Sequence, residues 1–149
     1  MKKIISIIFA AIMFYSTLIF SVDKTAEDFY QEGFKLYSSQ NFELSIGEFE
    51  NAVNLDADYF SLLTGNGFFE TFLAKELSKE SLEKTIKMCE YALNSKKNEE
   101  FFALYYKGWA QIKLGQKDEG KKNLEDAIKQ MKNAGVNYDM ASKLLTDNS

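Results

Sequence analysis

The sequence predicts an all-α protein built from antiparallel helix pairs that repeat along the chain. Three observations carry this. First, the 149 residues contain no proline, the residue that breaks helix interiors. Second, between Ala26 and Ala57 the residues Phe29, Leu36, Phe42, Ile46, Phe49 and Val53 recur at helical spacings on both sides of a polar joint, Ser38 to Asn41. Third, small residues recur at matching places. Gly33 and Gly67 are 34 residues apart and Gly108 follows in a third first helix, while Ala52, Ala92 and Ala127 mark three second helices, 40 and 35 residues apart. A helix pair cannot bury both apolar faces alone, so the unit should stack on its copies.

Each element has its own signal. Thr25 is a cap for the first helix, with Glu27 and Asp28 in its first turn, where acids favour the helix dipole. That helix should run to about Ser38. Asn41 should cap a second helix ending near Leu55, and Asp58 a third. The third contains Gly65, Asn66 and Gly67. Either these mark a loop, with the helix restarting after Gly67, or the helix continues through them; the repeat register favours a continuous helix. The extra residues of the middle unit then lengthen this helix toward Ser78 or enlarge the turn to Ser81. The stripe Phe68, Phe72, Leu73 and Leu77 argues that the insertion is helical, sharing an apolar face with Ile86 and Tyr91. Ser81 should cap the fourth helix, ending near Asn94, before the loop 94–98. Asn98 should cap the fifth, which Gly115 ends. The sixth runs from about Lys117 to Lys132 and stops at 133–135. Asn137 should cap a short last helix, Tyr138 to Leu145, whose Tyr138, Met140, Ala141, Leu144 and Leu145 cover the open end of the stack.

From Ala26 to Gln130 this pattern resembles the tetratricopeptide repeat family, whose period is 34 residues. The copy Phe101 to Lys129 places Leu104, Gly108, Ala110, Leu114, Gly115, Gly120, Leu124, Ala127 and Ile128 where that family has its large and small residues. Glu32, Asn66 and Lys107 depart from it, standing where an apolar residue usually precedes the glycine, and Ala57 replaces the customary proline. The resemblance implies a right-handed α-α superhelix, a solenoid of about three repeats with a C-terminal capping helix, and a scaffold that binds a peptide, helix or loop of another protein. It also implies a concave groove lined by the first helix of each unit. On this chain the groove would be Tyr30, Phe34 and Tyr37, then Thr64, Phe68, Thr71 and Phe72, then Phe102, Tyr105, Trp109, Ile112 and Lys113. We take Tyr30, Phe34, Tyr37, Phe68, Phe72, Phe102, Tyr105 and Trp109 as its protein-binding residues. Such an aromatic groove suits an apolar anchor. The competing expectation is that these rings are core and the groove is filled from within, leaving a structural or self-associating subunit.

Residues 1–21 read as a secretory signal peptide: Lys2 and Lys3 precede the uncharged run Ile4 to Val22, and Ser21 is a small residue at a plausible cleavage site. The run is also near the length of a membrane span, so an uncleaved anchor through 4–22 is the alternative. No cysteine directly follows the run, which argues against a bacterial lipoprotein anchor. Residues 22–149 are then an exported helical-repeat domain, periplasmic or extracellular. Without Lys2 and Lys3 it keeps 16 of the 18 lysines against 22 acids, a net charge of −6. That balance argues against nucleic acid and anionic membrane surfaces as partners.

Composition also narrows the chemistry. There is no histidine, the commonest general base and metal ligand, and no arginine. Gly65-Asn66-Gly67 lacks the strand and lysine of a phosphate loop, and Asp56-Ala57-Asp58 lacks the glycine and late glutamate of a calcium loop. Carboxylate pairs such as Glu48 and Glu50 should lie on solvated faces. Cys89 falls on an apolar face and should be a buried, inert thiol. The expectation is a non-catalytic protein with no cofactor and no metal.

Overall fold

The computed structural model describes residues 23–96 and 100–148. Among the described residues there are eight α-helices and no strand, each helix packed against its neighbours. The expectations for Met1 to Val22, and for Asn98 and Glu99, lie outside the described residues. No helix among the described residues is long and apolar enough to cross a membrane.

Helix α1 (Ala26–Ser38) begins as expected. The Thr25 hydroxyl accepts from the Asp28 N–H at 3.2 Å, and the Asp28 carboxylate accepts from the Thr25 N–H at 2.9 Å. Two orphan donors are thereby satisfied. The chain turns through Gln40, at φ 61°, into α2 (Phe42–Leu55). Asn41 occupies the cap position there without making a capping hydrogen bond. Gly33 lets α1 and α2 meet: a Cβ at that position would lie 2.5 Å from the Phe49 ring.

The middle of the chain departs most from expectation. The third helix is not continuous. It ends at Gly65 (α3, Asp58–Gly65) and restarts as α4 (Phe68–Leu73), because Gly67 sits at φ 72°, the left-handed conformation that ends helices. The cap of α3 also shifts. Asp58 is already helical, and its N–H donates to Asp56 Oδ1 at 3.0 Å. The insertion is not helical either. Residues 74–78 form a turn and an irregular link, and Leu77 packs against the core from it.

Ser78, not Ser81, then caps α5 (Lys79–Ser95), while Ser81 is buried. The cause is Glu43 on α2. Its carboxylate accepts from the Ser78 N–H at 2.7 Å, from the Ser78 hydroxyl at 2.6 Å and from the Ser81 hydroxyl. Burial works to raise the Glu43 pKa, but these hydrogen bonds outweigh it and leave the group below the ordinary carboxylate range. A depressed native pKa gives stability that is present at neutral pH and lost as pH falls through it. Glu43 is exposed and its interactions are partly screened, so Glu43→Ala should cost at most about 1 kcal/mol at pH 7, the size of a lost helix cap. In urea melts the deficit relative to the parent should vanish at acid pH. A deficit independent of pH would mean that the side chain contributes only packing.

The last third follows the sequence closely. Helices α6 (Glu100–Lys113) and α7 (Lys117–Ala134) are followed by Gly115 at φ 82° and Gly135 at φ 70°. Gly108 and Gly120 face each other where α6 and α7 cross; a Cβ on Gly108 would stand 2.8 Å from the Gly120 carbonyl oxygen. Lys107, in a place where an apolar residue was expected, reaches Glu90 at 2.9 Å and ties α6 to α5. Helix α8 runs Asp139–Asp147; Tyr138, not Asn137, holds its cap position, and Asn137 Oδ1 accepts from the Asp139 N–H at 2.8 Å from one residue further out. Ala141 is buried, and Tyr138, Leu144 and Leu145 pack on the core, while Met140 is 60% exposed and lines only the edge of the cover. Glu48 and Glu50 are half-buried rather than solvated, each 3.9 Å from a lysine, Lys24 and Lys87 respectively.

Candidate functional site

An aromatic layer runs between α1, α3–α4 and α6. Rings fill the spaces between these helices, in contrast to the glycine contacts inside the α1–α2 and α6–α7 pairs. Its sequence origin is a repeated spacing. Phe34 meets Phe68 with ring centres 6.2 Å apart, and the Tyr37 hydroxyl lies 2.7 Å from the Thr71 hydroxyl, both pairs 34 residues apart. Asn66 Nδ2 donates to the Tyr30 hydroxyl at 3.3 Å, and the Tyr106 hydroxyl donates to Glu70 at 2.6 Å, both pairs 36 residues apart. The Tyr59 hydroxyl donates to Glu27 at 2.7 Å, a bond that pushes the phenol up to about 12.

The eight residues expected to line a groove do sit in this layer, at different depths. Phe72 is fully buried, and Phe68, Tyr105 and Trp109 are buried as well. Phe68 packs among Phe49, Tyr30, Phe34 and Tyr37. Tyr105 and Trp109 are covered from α4 and α8, where they share a shallow depression with Leu73 and Leu144. Tyr30, Tyr37 and Phe102 are half-buried against the core. Only Phe34 among the eight is open, at 47%. Of the other residues assigned to the groove, Ile112 is buried, Thr64 and Thr71 are half-buried and Lys113 is exposed. A ring with no exposed surface offers no contact to a partner, so the layer as it stands is mostly core with one accessible edge at α1.

That edge includes a residue the sequence reading passed over. Leu62 is 47% exposed on α3, one turn from Tyr59 and one from Asn66. Both of those neighbours touch Tyr30, Tyr59 through rings 5.3 Å apart. Residues three and four apart share a helix face, so Leu62 shares a face of α3 with Tyr59, and Phe34 shares a face of α1 with Tyr30. The repeated spacing of α1 and α3 was the signal that could have found it.

Away from the layer, Cys89 is fully buried on α5, and burial pushes its thiol well above the ordinary range. A thiolate is the reactive form, so this thiol is inert in the native fold. Among the described residues no three carboxylate or thiol groups gather as a metal site would require. No protein-family model, no curated protein and no solved structure matches this chain.

Proposed function

We propose that this chain is an exported, non-catalytic scaffold of the tetratricopeptide type, a short right-handed superhelix that holds another protein at the open edge of its aromatic layer. The observation that carries the reading is that Phe34 of α1 and Leu62 of α3, on two helices that meet at Tyr30, are both 47% exposed. The repeat assignment is supported by the contacts Phe34–Phe68 and Tyr37–Thr71, which join equivalent places of the first two units, 34 residues apart. Export is supported by Lys2 and Lys3 ahead of the apolar run 4–22. Aromatic anchors flanked by polar groups are the usual hot spots of protein binding.

The test is capture from the native envelope with the full chain as bait. Phe34→Ala should weaken the captured partner by about 2 kcal/mol, as hot-spot truncations do, and leave the melting temperature nearly unchanged. Unaltered capture by Phe34→Ala would reject the α1 edge as the contact surface. A second reading, a self-associating structural subunit, is favoured by the burial of Phe72, Tyr105 and Trp109 within one chain. Light scattering separates the two: a monomer supports the adapter, and a discrete oligomer that Phe34→Ala dissociates supports the subunit.

A further inference from the structure

Asn66-Gly67 is the one asparagine–glycine pair in the sequence. Asparagine followed by glycine is the least hindered setting for deamidation. The Gly67 nitrogen attacks Asn66 Cγ and gives up its proton to water. The new N–C bond closes a five-membered imide, and the side-chain nitrogen takes up a proton and leaves as ammonia. Water then opens the imide at either carbonyl. One opening gives aspartate. The other gives isoaspartate, in which the main chain runs through the former side chain and gains a methylene.

The fold places this pair at the surface and holds it in a form that does not react. Asn66 is exposed in the joint between α3 and α4. Its backbone sits at φ −90° and ψ 1°. At that ψ the Gly67 nitrogen eclipses the nitrogen of Asn66 and points away from Cβ, where the ring must close. The Gly67 N–H donates to the Thr64 carbonyl at 3.2 Å. The side chain is tethered too: Nδ2 donates to the Leu62 carbonyl at 2.8 Å and to the Tyr30 hydroxyl at 3.3 Å.

Release asks for little movement. Turning the peptide plane between the two residues brings the Gly67 nitrogen toward Asn66 Cγ. The turn changes ψ of Asn66 and φ of Gly67 in opposite senses, and glycine alone crosses φ at no steric cost. The helices on either side therefore keep their places, with Leu63 and Phe68 still buried. The two side-chain bonds that must break lie at the exposed surface, where water replaces them. Openings of this kind cost much less than global unfolding.

We propose that Asn66 is a site of spontaneous deamidation, gated by a local turn of the 66–67 peptide and not by unfolding of the chain. Aspartate at this position cannot donate to the Leu62 carbonyl, and it puts a negative charge at the C-terminal end of α3, where the helix dipole disfavours one. Isoaspartate lengthens the joint. Either product loosens the α3–α4 junction beside Tyr30, and the change does not reverse. The site stands independently of partner binding at the α1 edge.

The full chain should be aged at mildly alkaline pH in buffer, in a series of urea concentrations below the unfolding transition, and fully unfolded. Peptide mapping by mass spectrometry then follows each asparagine. In the unfolded chain Asn66 should convert first, to both aspartate and isoaspartate. In the folded chain it should convert at least about tenfold more slowly. That slower rate should stay nearly flat across the urea series, because a local turn exposes little surface. Unfolded Gly67→Ala, which hinders the attacking nitrogen, should react more slowly at position 66 than the unfolded parent. The proposal is overturned if another asparagine converts first in the unfolded chain, if folded Asn66 reacts as fast as unfolded or not at all, if its rate climbs with urea in step with global unfolding, or if unfolded Gly67→Ala keeps the parent's rate.

Discussion

Trp109→Ala should lower the free energy of unfolding by about 3–5 kcal/mol, the usual range for deleting a large buried aromatic side chain. Trp109 is 2% exposed on α6, between the buried Gly108 and Ala110. The void cannot close easily, because α6 is fixed on one side by the Gly108–Gly120 crossing and on the other by the rings that separate it from α4. Phe34→Ala supplies the control. It removes a ring that is half in water, so its cost should stay below about 1 kcal/mol. Urea melts of the two variants should separate clearly, with the Trp109 variant melting on the order of 10 °C lower. Equal stability of the two would mean that Trp109 is not a core residue, and the layer would have to be open in solution.

The contrast between these two rings shows what the residues could and could not reveal beforehand. Helical spacing identifies which face of α1, α4 and α6 is apolar. It is silent on whether that face meets another helix or water. Tyr105 and Trp109 share a stripe, and α8 covers it; Phe34 shares one with Tyr37, and nothing among the described residues covers Phe34 fully. Helix ends were legible where the signal was local, as at Thr25, Gly115 and Gly135. They were illegible where a distant residue decides. Ser78 and Ser81 are equally good caps on sequence grounds, and Glu43, more than thirty residues away, selects Ser78 and buries Ser81. Glu70 was hidden for the same reason, since its partner Tyr106 is 36 residues further along. Asp56 took the role expected of Asp58 because an Asx side chain can accept from a backbone N–H two residues on.

Gly33, Gly67 and Gly108 look alike in the repeat, yet alanine should act on them through different causes. The double variant Gly33→Ala/Gly108→Ala should lose about 2–4 kcal/mol, since overpacking costs about 1–3 kcal/mol at each site, offset in part by alanine's better helix propensity. At Gly108 the obstacle is the backbone oxygen of Gly120, which yields only if α6 and α7 move apart. At Gly33 it is the Phe49 ring, which is held in place by Tyr30, Phe68 and Phe72. The two sites share no contact, so their costs should add. Gly67 has no such neighbour, and its alanine cost, about 1–2 kcal/mol, comes from φ 72° alone. Gly65 completes the series. It is helical, and a Cβ there meets nothing within 4 Å. Gly65→Ala should therefore stabilise the protein by up to about 1 kcal/mol. Equilibrium unfolding of the four single variants and the double decides the matter. If Gly65→Ala and Gly67→Ala change stability in the same direction, α3 and α4 are one continuous helix in solution. If Gly108→Ala is harmless, α6 and α7 are not in contact at their glycines.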